Sequence, residues 1–180
     1  KKIAELRLQL PGIEIVTPIL SDKLEDYVSE FYKLRHRKGV TLEKARIMMT
    51  DPIYFGSMMV RMGDADGLVS GVIHQYSETI RPALQVISTK DGVKHVAGVY
   101  LMIIKNDVKL FADATVNIDT TPEVLAEIAI LCAERARQFD IEPKIAMLSF
   151  SNFGSSNHPL ADKVKKAVKI VRDQFPDLMI

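Results

Sequence analysis

Several stretches of this sequence carry side chains suited to holding an anion. Ser149-Phe150-Ser151-Asn152-Phe153-Gly154-Ser155-Ser156-Asn157 sets hydroxyls and small residues between an apolar run at 145–148 and a helical pattern that follows. In a strand-to-helix loop, free backbone N–H groups and hydroxyls can grip a phosphate, and small residues allow close approach. The same composition also serves simply to cap helices. The loop has neither G-x-x-x-x-G-K-[ST] nor G-x-G-x-x-G, so nucleotide P-loop and dinucleotide chemistry find no support.

Arg81 stands two residues after Thr79 near a predicted helix start, where a guanidinium adds a bidentate oxyanion donor to the terminal N–H groups. The plainer alternative is a solvated surface arginine. Arg35-His36-Arg37-Lys38 is a third cationic group; as cations in the last turn of a helix ended by Gly39, these residues also satisfy the helix dipole. Asp64 and Asp66, between Gly63 and Gly67, suit backbone capping in a turn better than acid–base work. His36, His74, His95 and His158 share no ligand spacing, so no metal site is expected. The single cysteine, Cys132, lies in an apolar helical run and is expected to be a small buried hydrophobe, not a reactive thiol.

The elements that must position these residues follow from periodicity. Residues 13–17, 68–70 and 145–148 are apolar runs that predict strands, and 96–104 with 108–112 predict a hairpin across Lys105-Asn106-Asp107. A helix is predicted over 24–37 with Tyr27, Val28, Phe31 and Leu34 inward, another after Thr41, a third from Tyr54 to Met62 after Asp51-Pro52. Pro82 is tolerated only in a first turn, which places the next helix start near Thr79 or Ile80. Thr121-Pro122-Glu123 opens a helix burying Val124, Leu125, Ile128, Ala129 and Cys132, and a last helix carries Leu160, Val164, Ala167, Val168 and Val171 on one face. The alternation predicts an α/β fold of mostly parallel sheets flanked by helices, with one antiparallel hairpin and a domain seam near residues 88–92.

With 180 residues and 47% hydrophobic content the chain has apolar material for one or two small α/β units, and a disordered chain is excluded. The 24 basic and 23 acidic side chains leave a net charge of +1, which gives no field to gather a polyanion, so nucleic acid is not the expected partner. No signal peptide or bilayer-length apolar run is present, which predicts a cytoplasmic setting without a membrane role. The start at Lys1-Lys2 within an amphipathic pattern, and Asp177-Leu178-Met179-Ile180 as the beginning of another strand, predict a piece of a longer protein.

Taken together, Leu34-Arg35-His36-Arg37-Lys38-Gly39-Val40-Thr41, Asp51-Pro52-Ile53-Tyr54-Phe55-Gly56, Gly63-Asp64-Ala65-Asp66-Gly67-Leu68-Val69-Ser70-Gly71 and Thr79-Ile80-Arg81-Pro82-Ala83-Leu84-Gln85 resemble the phosphate acetyl/butyryltransferase family, in matching order and spacing. Phe111-Ala112-Asp113 and Lys144-Ile145-Ala146-Met147-Leu148-Ser149-Phe150-Ser151 continue the likeness. The resemblance implies a phosphotransacetylase-like, isocitrate/isopropylmalate dehydrogenase-like two-domain architecture, incomplete at both ends. Residues 1–88 would belong to the first domain and 89–180 to the second. It further implies a homo-oligomer, usually a dimer, whose cleft binds CoA or acyl-CoA with phosphate. Arg35 would lie near CoA and Arg81 near phosphate, with Thr79, Ser149, Ser151, Asn152, Gly154 and Ser155 completing the ligand set.

Active members usually continue the serine loop with Thr-Lys-Gly-Ser, where this chain has Asn152-Phe153-Gly154-Ser155. Losing that lysine removes a cation from an anion site. The Ser-Asn-Phe-Gly-Ser form resembles the C-terminal domain of multidomain NADP-dependent malic enzymes, in which the module binds acetyl-CoA and regulates malate oxidation. On this resemblance the chain is expected to be a non-catalytic acyl-CoA sensor. Its parent would be an oxidoreductase using NADP and a divalent metal, and the chain itself would hold no cofactor. The alternative is an active phosphate acetyltransferase, whose C-terminal serine, arginine and aspartate would lie beyond Ile180.

Overall fold

The computed structural model describes residues 5–7, 9, 11–152 and 155–180, and the chain divides between Ser88 and Thr89 into two compact units. The expected helix end at Lys1-Lys2 lies outside the described residues.

The first unit is helical. Helix α1, Leu24–Arg35, buries Tyr27, Val28 and Phe31 on one face, and its last turn runs into a 3-10 turn, His36–Lys38, stopped by Gly39 at φ 82°. Glycine fits there because the left-handed conformation carries no side-chain clash. Helix α2, Leu42–Met49, starts where Thr41 Oγ1 accepts from the Lys44 N–H at 3.2 Å. Helix α3, Pro52–Met62, is capped by Asp51, whose Oδ1 accepts from the N–H groups of Ile53 at 2.8 Å and Tyr54 at 3.1 Å. Pro52 sits at the first helical position, where its missing N–H costs nothing. Helix α4 is Tyr76–Val86. Tyr27, Phe31, Met49, Phe55, Met58 and Val86 form the core of this unit.

Helix α4 begins earlier than Pro82 suggests. The Glu78 carboxylate reaches back to accept the Gln75 N–H at 3.0 Å, which fixes the first turn at Tyr76 and leaves Pro82 inside the helix. One intrahelical bond is lost there, and Pro82 is buried.

The second unit opens with the hairpin of β1, Val99–Ile104, and β2, Asp107–Ala112. Ile104 pairs with Asp107, so the turn is the two residues Lys105-Asn106, with Lys105 at φ 56°. Helix α5, Pro122–Gln138, takes Thr121 as cap, and helix α6, Pro159–Gln174, takes His158, whose Nδ1 accepts from the Leu160 N–H at 3.2 Å. The two pack through Ala126, Ala129 and Ala133 against Ala167 and Val171, joined by Leu178. The buried face of α5 is thus turned toward its alanines, and Cys132 is half-buried. Small side chains let the helices approach closely.

The expected mostly parallel sheets are not formed. Among the described residues the sheet structure is the antiparallel hairpin and one parallel bridge, Lys144 with Met179, where the Ile145 N–H bonds the Met179 carbonyl at 2.9 Å. Residues 13–17, 68–70 and 145–148, expected as strands, form no strand. An apolar run becomes a strand only with a hydrogen-bonded neighbour, and beyond that one bridge these runs meet none among the described residues.

Candidate anion-binding sites

In the first unit, Arg35 ends α1, Tyr54 lies in the first turn of α3, and Thr79, Arg81 and Gln85 lie on α4. Arg35 Nε and Thr79 Oγ1 are buried and bond no protein group. The Arg81 side chain is exposed and, like Arg35, takes no part in the ion pairs among the described residues. Burial raises the Tyr54 phenol above its usual range, and the charges of Arg81 and, more weakly, Arg35 work against that rise. Both guanidinium groups therefore reach the Tyr54 oxygen electrostatically. Among the described residues these are two cations without carboxylate partners and two buried polar atoms left unbonded, the features an oxyanion could satisfy.

Tyr54 and Gln85 were not singled out by their sequence pattern, although both fall within the family-like segments. A signal was present: Gln85 follows Arg81 by four residues, which puts both on one face of a helix.

In the second unit the serine loop folds on itself. Ser151 Oγ accepts from the Ser156 N–H at 3.2 Å and lies 3.3 Å from Ser155 Oγ, while the Ser155 N–H bonds the Asn152 carbonyl at 2.9 Å. Ser149 Oγ is 3.5 Å from the Ser151 N–H. None of these serines caps α6, a task taken by His158. Ser149, Asn152 and Ser155 are exposed. An open groove of about 780 Å3 runs beside this loop, with Met147, Ser149, Ser151 and Asn152 on one wall and Val168 and Lys169 of α6 on the other. Phe153 and Gly154, which carried the expected loss of a cation, lie outside the described residues.

Asp64 is not a backbone cap. Its Oδ2 accepts from the Tyr27 hydroxyl at 2.5 Å and its Oδ1 from Lys23 Nζ at 3.1 Å, so it ties the turn after α3 to α1. No cluster of three or more potential metal ligands occurs among the described residues, and no described helix is long and apolar enough to cross a membrane.

A helical unit and a unit of helices with a small sheet place the chain in the class of α/β proteins. The particular family is shown by comparison: the family model for phosphate acetyl/butaryl transferase matches residues 1–180, and the chain belongs to that family. It is 46% identical to the phosphate acetyltransferase of Clostridium acetobutylicum over all of this chain and 56% of that protein. The corresponding protein of Bacillus subtilis is also 46% identical, over 99% of this chain and 55% of its own length. A crystal structure of a phosphotransacetylase from Streptococcus pyogenes superposes with a TM-score of 0.87 at 44% identity, over 98% of this chain and 54% of that one. The chain thus spans a little over half the length of these relatives.

These relatives overturn the malic-enzyme sensor. They are named phosphate acetyltransferase or phosphotransacetylase, none as malic enzyme, and oxidoreductase chemistry, NADP and a divalent metal lose their support with it. The sensor reading rested on Asn152-Phe153 alone, and two residues weigh less than agreement along the whole chain.

Proposed function

We propose that the protein is a phosphate acetyltransferase, moving an acetyl group between CoA and phosphate. Identity of 46% over the whole chain to a protein of that name carries the reading. The residues of this chain that would hold the reactants are Arg35, Thr79 and Arg81 in the first unit and Ser149, Ser151, Asn152 and Ser155 in the second. Gly154, expected in the same set, lies outside the described residues.

In this reaction a CoA thiolate attacks the acetyl carbon of acetyl phosphate, a C–S bond forms, the C–O bond to phosphate breaks, and phosphate leaves. Little of the barrier requires new covalent chemistry from the protein, so alignment of the two anions is the main task. Guanidinium groups neutralise the phosphate as charge collects on the leaving oxygen. Arg81, which takes part in no ion pair among the described residues, would supply that guanidinium at the phosphate, with Arg35 near CoA.

The test is formation of the acetyl-CoA thioester from acetyl phosphate and CoA by the full-length protein, followed by thioester absorbance. Turnover well above the uncatalysed reaction is expected; none would sink the reading. The homo-oligomer implied by the family is checked on the same preparation by light scattering, and a strictly monomeric active enzyme would remove it.

A further inference from the structure

The Tyr54 hydroxyl donates to Gln85 Oε1 at 2.8 Å, bridging α3 and α4. The ring is held on its other side by Phe31, fully buried, with centroids 5.6 Å apart and planes at 72°. A ring wedged edge-on in this way leaves its hydroxyl one place to point. A primary amide has one acceptor oxygen and one nitrogen with two donors. With its oxygen occupied by Tyr54, Gln85 keeps Nε2 as its free end.

A cation shares that helix face. Arg81 precedes Gln85 by one helical turn on the same face of α4, and the charges of Arg81 and Arg35 both reach the Tyr54 oxygen. The carboxylate that Tyr54 also feels, Asp51, commits its Oδ1 to the N–H groups of Ile53 and Tyr54. The Arg81 guanidinium and the Gln85 amide nitrogen are thus two donors one turn apart on the same helix.

We propose that Gln85 Nε2 donates to a phosphate oxygen held by Arg81, and that Tyr54 is the positioning residue that keeps the amide from turning its oxygen toward the anion. The assignment rests on the acetyl-transfer reading above. If Tyr54 is lost, the amide rotates freely, and half of its orientations present an acceptor to an anion. Tyr54 therefore acts only through Gln85.

The experiment measures acetyl transfer from acetyl-CoA to orthophosphate by full-length wild type, Tyr54→Phe, Gln85→Met and the double variant. Phenylalanine keeps the ring against Phe31, and methionine keeps the stem of Gln85, so both variants fold. Gln85→Met raises KM for phosphate about 10-fold, the range for a charge-assisted hydrogen bond, with KM for acetyl-CoA within about twofold. Tyr54→Phe raises KM for phosphate about threefold, and the double variant is no worse than Gln85→Met alone, as expected of residues acting in series. Wild-type KM for phosphate in both single variants overturns the proposal, and so does a double variant whose losses multiply. If wild type transfers no acetyl group, the functional reading falls separately, and calorimetric titration with orthophosphate decides this one: weaker binding by Gln85→Met sustains it, equal binding ends it.

Discussion

Tyr27, 1% exposed in the core of the first unit, gives its phenolic hydrogen to Asp64 over 2.5 Å, so the turn after α3 is fastened to a residue of α1 thirty-seven positions earlier. The hydroxyl of a buried tyrosine needs a partner, and Asp64 supplies one while Lys23 neutralises the charge.

That bond makes stability depend on pH at both ends. The Tyr27 hydrogen bond, then the Lys23 bond, hold the Asp64 carboxyl below its usual range, so the folded state binds that proton less tightly than the unfolded chain. The contribution is complete above the ordinary carboxylate range and is lost as pH falls through the depressed folded value. Burial, then the bond to Asp64, raises the Tyr27 phenol, so its contribution is complete below the unfolded value of about 10 and fades as pH climbs through the folded one. Urea unfolding of Asp64→Asn is expected to show a lower midpoint than wild type at neutral pH and a narrower gap near ~pH 3. An equal gap at both would assign Asp64 no such role. Tyr27→Phe costs about 1 kcal/mol at neutral pH.

Arg81→Ala is expected to raise KM for phosphate in the full-length protein about 10- to 100-fold, through loss of a charge-assisted contact. Arg81→Lys restores part of it, because an ammonium keeps the charge but loses the planar fork. Arg81→Ala with unchanged phosphate KM would remove this arginine from the site.

Cys132 should behave as a packing residue. Burial, and then the nearby Asp113 charge, raise its thiol above the ordinary range, so little thiolate is present at neutral pH. Alkylation by iodoacetamide is expected to be slow in the folded protein and fast in denaturant. Asp113→Asn speeds the folded reaction only about two- to threefold, since burial is the larger cause. Equal rates in folded and unfolded protein would contradict this.

Glu127 holds the segment before the hairpin against α5. Its Oε1 accepts from the Lys94 N–H at 2.8 Å and its Oε2 lies 2.7 Å from His95 Nδ1. Glu127→Ala should destabilise the second unit by about 1 to 2 kcal/mol, leaving the donors of Lys94 and His95 without their acceptor. His95→Ala should cost less, since the backbone bond survives. Hydrogen exchange at Lys94 separates the two: it rises in Glu127→Ala and stays near wild type in His95→Ala.

Local signals were legible wherever one residue type does one job. Thr41 and Thr121 cap the helices they precede, and Gly39 and Gly63 end theirs, whereas Asp51, read as part of the break before a helix from Tyr54, caps one that starts at Pro52. The start of α4 was misplaced because the rule for Pro82 is weaker than the contact between Glu78 and the Gln75 N–H. The strands at 13–17 and 68–70 failed for another reason: a strand's stability lies in its neighbour, and no property of the run itself names that neighbour. The serines of 149–156 read equally as anion donors or helix caps, and only the bond from Leu160 to His158 Nδ1 removed the second option for α6.

By itself, the amino-acid order determined the family-like segments, the helix boundaries set by caps and glycines, and the candidate arginines, because each depends on residues close together in the chain. Tertiary structure decided which of these meet. Arg35 on α1, Tyr54 on α3 and Arg81 with Gln85 on α4 are brought within electrostatic or hydrogen-bonding reach only after Tyr27, Phe31, Phe55, Met58 and Val86 pack the helices together. The burial that assembles the core also leaves Arg35 Nε and Thr79 Oγ1 without partners among the described residues, a feature that depends on how the helices pack and not on either residue's neighbours in the chain.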